Sequence, residues 1–175
     1  MSQSSQDKRW MRHAMQLAKR AQAEGEVPVG AVVVHQGRAI GQGWNQSITQ
    51  HNACAHAEIM ALQEAGKAIS NYRLVDATLY VTLEPCTMCA GAMVHARVAR
   101  LVYGANDSKT GAAGSVYNVV QDLRLNHQLE IQANVEAVAC KEQLQAFFKQ
   151  RRSEIKALKL AKRQAELLAS SNETS

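Results

Sequence analysis

The sequence predicts one α/β domain spanning residues 1–175, with three layers (α/β/α) around a mixed central sheet of about five strands. Three observations carry this expectation. The runs Val29–His35 and Ala77–Leu83 are nearly continuous in β-branched and apolar residues, as in strands covered on both faces. Gln36-Gly37 separates Val29–His35 from Arg38–Gly43, which reads as a hairpin closed by a tight turn. From Ala77 to Gly104 the order strand, helix, strand with short connections implies a parallel crossover.

Taken in order, Asp7–Ala23 reads as an amphipathic helix. Trp10, Ala14, Leu17, Ala18 and Ala21 share one face, and Lys8, Arg12, Lys19 and Arg20 fall mostly elsewhere. Gly25 ends it, and Pro28 opposes a restart. The hairpin follows, then a polar loop over Trp44–Ala55 that contains Asn45, His51 and Cys54. His56–Ala68 is predicted helical with Ile59, Met60, Leu62 and Ala65 inward. Ala77–Leu83 is the central strand, Cys86–Ala96 the next helix and Leu101–Gly104 the next strand. Ala105–Ser115, rich in glycine, alanine and polar residues, reads as a surface loop, followed by a short helix at Val116–Val120 and a last strand at Leu129–Val135. From Ala137 to about Leu168 the chain reads as a basic helical segment broken near Arg151-Arg152, with Leu144, Phe147, Phe148, Ile155 and Leu158 on its apolar side. Ser170–Ser175 is expected to be disordered.

A hydrophobic content of 46% with 20% charged residues suits a globular protein and argues against a disordered or fibrous one. No stretch is apolar and long enough to span a membrane, and the polar start Met1–Gln6 lacks the apolar core of a signal peptide. The expectation is a cytoplasmic protein with no membrane partner, whose four cysteines are free or metal-bound rather than paired. The net charge is +5, and Lys141–Arg163 alone holds eight basic and two acidic residues, so the basic excess belongs to the C-terminal segment. That distribution suits a polyanion such as nucleic acid, or else a solvated helix face.

Two short stretches carry the chemistry: His56-Ala57-Glu58 and Pro85-Cys86-Thr87-Met88-Cys89. One imidazole and two thiols suit zinc, and three protein ligands leave a tetrahedral ion one open position. Cys86 falls at a helix start, where unpaired N–H groups and a partial positive charge favour thiolate, and Cys89 follows close to one turn later. Pro85 needs no hydrogen-bond partner there. Glu58 points to a different azimuth from His56 and suits a proton carrier rather than a ligand. Zinc brings the pKa of water to roughly 7, so the pattern points to a zinc hydrolase that adds water to a ring carbon. A C-x-x-C step also serves as a redox pair, but that leaves the His-x-Glu piece idle. Cys54 is either a fourth sulfur ligand that closes the site or a small apolar pocket or core residue. Cys140 is expected in the core. Glu84 either orients the metal pocket or only bonds nearby backbone. The other histidines, His51 and His95 among them, lack ligand spacing.

The H-A-E and P-C-x-x-C pieces together resemble the signature of the cytidine/deoxycytidylate deaminase superfamily. Within it, Trp10–Ala14, Glu26–Val34, Asn71–Val98, Gly104–Ser115 and Phe147–Ala157 resemble the bacterial tRNA adenosine deaminases, so the likeness covers nearly the whole chain. The resemblance implies hydrolytic deamination of the wobble adenosine to inosine in a tRNA anticodon loop. It implies one zinc ion per subunit on His56, Cys86 and Cys89, with Glu58 as proton donor, in a homodimer acting on the anticodon stem-loop of arginine tRNA. By matching position Asn45 would contact the target nucleoside, and Asp107 and Lys109 would lie beside the RNA. Lys149, Arg151 and Arg152 would contact phosphates. Where the family often has Asp-Pro this chain reads Asn52-Ala53-Cys54, which implies a more mobile loop with an oxidisable thiol. Two other functions fit the same zinc motif: a deaminase of free cytosine, guanine or a nucleotide, and a zinc-stapled RNA-binding scaffold without turnover. Ammonia release from stem-loops, from free bases, or from neither separates the three.

Overall fold

The structure is a computed structural model that describes residues 2–172. Its elements are α1 (Gln3–Ala23), β1 (Gly30–His35), β2 (Arg38–Trp44), α2 (Ala57–Ala68), β3 (Thr78–Leu83), α3 (Thr87–His95), β4 (Arg100–Ala105), β5 (Glu130–Gln132) and α4 (Ala137–Asn172). They fall into two compact units, Met1–Leu144 and Gln145–Ser175. The first holds a five-stranded mixed sheet in the order β2-β1-β3-β4-β5. Strand β1 is antiparallel to β2 and β3, and β3, β4 and β5 run parallel, which realises the crossover read from Ala77 to Gly104.

Gln36 and Gly37 both have positive φ, 49° and 74°, the backbone a two-residue turn needs to match strand twist. Side chains then alternate across the sheet. Ala31, Val33, Leu79, Val81, Leu101 and Tyr103 join the α2–α3 core on one face, and Val32, Val34, Tyr80 and Val102 join Met11, Ala14 and Cys140 on the other. Helices α1 and α2 sit directly on strand backbone. A Cβ at Gly30 would lie 2.1 Å from the Ala14 carbonyl oxygen, and one at Gly43 would lie 2.2 Å from that of Ala57.

Several elements differ from the sequence expectation, each for a physical reason. Helix α1 starts at Gln3 because the Ser2 hydroxyl accepts the Ser5 N–H and caps it. Its buried stripe is Asp7, Met11, Ala14, Ala18 and Ala21, with Trp10 and Leu17 on the flank. The stripe is rotated because Asp7 turns inward to accept two bonds from Arg100 (2.8 and 2.9 Å) and one from the Tyr80 hydroxyl (3.0 Å). On α2 the inward residues are Ala57, Glu58, Ala61 and Ala65. Ile59, Met60 and Leu62 are half-buried, since the close approach to Gly41 and Gly43 admits only small residues.

The stretch 105–115 is not a plain surface loop. Gly111, Ala112 and Ala113 are buried, and the Ala112 N–H donates to the Pro85 carbonyl (2.8 Å). No helix forms over 116–120, where Asn118 instead bridges to Ala113 and the Val119 N–H donates to the Ala112 carbonyl. The last strand shortens to Glu130–Gln132. Helix α4 runs unbroken through Arg151 and Arg152. In the Gln145–Ser175 unit Phe147 is buried, but Phe148, Ile155 and Leu158 are exposed, so the expected apolar side stays largely uncovered. Residues 170–172 continue α4, and the rest of the expected disordered tail, 173–175, lies outside the described residues.

Candidate active site

Helices α2 and α3 lie on the same face of the sheet and begin beside one another. His56 is the N-cap residue of α2 and Cys86 that of α3, and neither spends its side chain on capping. Both side chains are therefore free to turn toward a common point. His56 Nδ1 lies 3.7 Å from Cys86 Sγ and 3.6 Å from Cys89 Sγ, and the three ligand atoms all lie within 4.8 Å of one another. Zn–N and Zn–S bonds of about 2.05 and 2.3 Å at tetrahedral angles separate N from S by roughly 3.6 Å. Both N–S separations match that value, and the group fits a metal ion.

The electrostatics agree with that fit. A hydrogen bond from Cys89, reinforced by His56, brings the Cys86 thiol down to about 4. The same Cys86–Cys89 bond, together with burial, pushes Cys89 up. The bond to Cys86 raises His56 against the opposing effect of burial. Glu58, in the first turn of α2, is only 4% exposed, and burial pushes it up to about 7.

The remaining sequence candidates separate into distinct places. The Asn45 side-chain oxygen accepts the Ala57 N–H at 2.9 Å, so Asn45 supplies the cap that His56 leaves vacant. Asp107 builds its own turn by accepting the Lys109 N–H (2.8 Å) and the Thr110 hydroxyl (2.7 Å), and Lys109 stands exposed on it. Arg151 and Arg152 are exposed on α4 in the Gln145–Ser175 unit, where Arg151 pairs with Glu154 at 3.3 Å. Cys54 is neither a fourth ligand nor a core residue. It is exposed, outside the His56–Cys86–Cys89 group, with its N–H on the Asn52 side chain (2.9 Å). Asn52 thus closes the turn that precedes α2. Cys140 is buried in the core, as expected.

Two buried carboxylates near these loops have no settled role in the sequence, Glu26 because nothing marks it and Glu84 because orienting the metal pocket and bonding nearby backbone fit it equally. Glu26 accepts the N–H and the hydroxyl of Thr49 (2.7 and 3.1 Å) and so ties down the loop that carries Asn45. Glu84 accepts several donors from the 107–115 stretch. The available signal was an acid next to, or two before, a proline at a strand end: Glu84-Pro85 and Glu26-Val27-Pro28.

Comparison with known proteins places the chain in a family. A family model described as MafB19-like deaminase matches residues 5–152. The tRNA-specific adenosine deaminase of Haemophilus influenzae is 54% identical over 151 residues, covering 86% of this chain and 87% of that protein. This chain belongs to the tRNA adenosine deaminase family. The Bacillus subtilis member is 46% identical over 153 residues, covering 87% of this chain and 95% of its own. A solved structure from a study of A-to-I editing by tRNA:A34 deaminases superposes with a TM-score of 0.75 at 38% identity, covering 77% of this chain and 98% of the other. A guanine deaminase from Nitrosomonas europaea, at 22% identity and a TM-score of 0.71 over 80% of this chain and 83% of its own, shares the fold. In this chain the mixed five-stranded sheet carries the helices whose starts bring His56, Cys86 and Cys89 together.

Proposed function

We propose that this protein hydrolyses the wobble adenosine of a tRNA anticodon to inosine and ammonia, with one zinc ion per subunit on His56, Cys86 and Cys89. The observation that carries the proposal is the convergence of those three donors at zinc-compatible N–S distances, with the buried Glu58 in the first turn of the helix that His56 opens. Zinc, when bound there, supplies the Lewis acidity that brings a water's pKa to roughly 7. Glu58 accepts the proton that water loses and delivers it to ring N1. Once the oxygen of that water has bonded to C6, the same carboxyl carries its remaining proton to the exocyclic amine, which leaves as ammonia as the C6–N bond breaks. Burial keeps bulk water from exchanging with the carried proton. Asn45, held through its oxygen by Ala57, keeps its amide N–H groups for the nucleoside.

A flipped-out base in a loop reaches such a pocket, which a stacked base does not. Lys109 in the first unit, and Lys149, Arg151 and Arg152 in the second, are exposed cations suited to phosphate. The apolar groove between α2 and α3, lined by Ile59, Leu62, Tyr72, Ala92 and His95, suits a second copy of the chain, and Tyr72 is 68% exposed beside it. Among the described residues no helix is long and apolar enough to cross a membrane. The protein meets tRNA in the cytoplasm. Mass spectrometry of the anticodon loop of arginine tRNA after incubation with the purified protein tests the proposal. Inosine at the wobble position is the expected result; unchanged adenosine alongside turnover of free guanine or cytosine overturns it.

A further inference from the structure

Glu84 is 2% exposed at the end of β3, one residue before Pro85 and two before Cys86. Its Oε2 accepts the Asp107 N–H (3.0 Å) and the Ser115 hydroxyl. Its Oε1 accepts the Ala113 and Ser115 N–H groups (both 3.0 Å). An ionised carboxylate offers about four acceptor positions, and here all are used by one loop. Among the described residues Glu84 forms no ion pair, so its partners are the N–H and O–H donors of that loop. The loop also packs directly on it, since a Cβ at Gly111 would lie 2.5 Å from Glu84 Cδ. The same loop bridges to Cys86 through Gly111 and donates to the Pro85 carbonyl from Ala112 (2.8 Å). The turn that supplies two metal ligands and the loop that carries Asp107 and Lys109 are thereby one piece, clamped by one side chain.

We infer that Glu84 is a positioning residue that fixes the Asp107–Ser115 loop against the Cys86–Cys89 turn and so presents Asp107 and Lys109 to the RNA. This rests on the reading that the 107–110 turn faces the substrate. Because that turn grips RNA away from the reacting atoms, loosening it weakens ground state and transition state alike and raises KM rather than lowering kcat.

Glu84→Gln keeps the volume but turns an NH2 group toward N–H donors. It is expected to raise KM for an anticodon stem-loop about tenfold or more, with kcat within about threefold and zinc still at one per chain. Ser115→Ala removes only the hydroxyl bond and is expected to raise KM by about two- to threefold. Unchanged KM in Glu84→Gln, or loss of zinc with a parallel fall in kcat, overturns the inference. If Glu84→Gln fails to fold, Ser115→Ala decides, and an unchanged KM overturns it. A wild-type protein inactive on the stem-loop sinks the functional reading instead. Amide exchange at Asp107, Ala113 and Ser115 then decides for Glu84: faster in the variants supports the clamp, unchanged overturns it.

Discussion

Between His56 and Glu58 lies one residue, and the start of a helix gives the two side chains different tasks. His56, just outside α2 in extended backbone, turns to the thiols, while Glu58, inside the first turn, is buried. Glu58→Ala is expected to keep one zinc per chain and the wild-type melting temperature while turnover falls about 10²- to 10⁴-fold, measured by metal analysis and ammonia release. Retained turnover would falsify its role as proton carrier. His56→Ala removes a ligand and is expected to lose the metal itself. Far from the site, Asp7 and Arg100 form a bidentate pair with Asp7 side chain only 5% exposed. Arg100→Ala leaves that carboxylate buried and unpaired, at a cost of about 3–5 kcal/mol, to be read from urea unfolding at neutral pH.

At the scale of elements, glycines set how closely helices approach the sheet. Gly43 faces the first turn of α2, whose start holds His56 and Glu58. Gly43→Ala must push that turn away, because the obstacle is the Ala57 backbone carbonyl rather than a side-chain tip. The expected result is a loss of about 1–3 kcal/mol together with weaker zinc retention, checked by unfolding and by competition with a chelator. An unchanged zinc affinity would show that α2 can slide without moving its ligand. The predicted surface loop at 105–115 is instead partly core, because its buried amides find Glu84 and Pro85 as acceptors. Composition alone reads such a stretch as exposed, since glycine, alanine and serine carry little hydrophobic signal.

At the scale of the molecule, charge sets the pH and salt dependence expected of the protein. Burial would raise the Asp7 carboxyl, but hydrogen bonds from Arg100, Gln3 and Tyr80 hold it below its ordinary value. A carboxyl depressed in the folded state contributes stability above its unfolded pKa of about 3.9 and loses it as pH falls through the folded value. Stability is therefore expected to fall below about pH 4, and Asp7→Asn to flatten that fall, in unfolding midpoints measured across pH. The basic excess lies in the C-terminal segment. Contacts to three phosphates from Lys149, Arg151 and Arg152 predict a slope of log affinity against log salt of about −2 to −3. Replacing Arg151 and Arg152 is expected to lower the slope by about 1.5 and to weaken tRNA binding more than turnover of a short stem-loop. Equal losses on both would assign these arginines to folding instead.

The local code of the chain determined a good deal. Strand runs, the Gln36-Gly37 turn, the helix starts at His56 and Cys86 and the step from Cys86 to Cys89 all depend on neighbours a few residues apart, and the strands, turn and helix starts are found where those patterns put them. Only the tertiary structure decided which face of α1 and α2 turns inward, that Asn45 caps Ala57, that Cys54 stays outside the ligand group, and that Glu84 gathers a loop more than twenty residues away in sequence. Each of these turns on a polar or small residue meeting a partner brought in by the fold. A buried aspartate, an alanine against glycine or a carboxylate on backbone amides carries no periodic hydrophobic signal, and its energy exists only once distant segments have met.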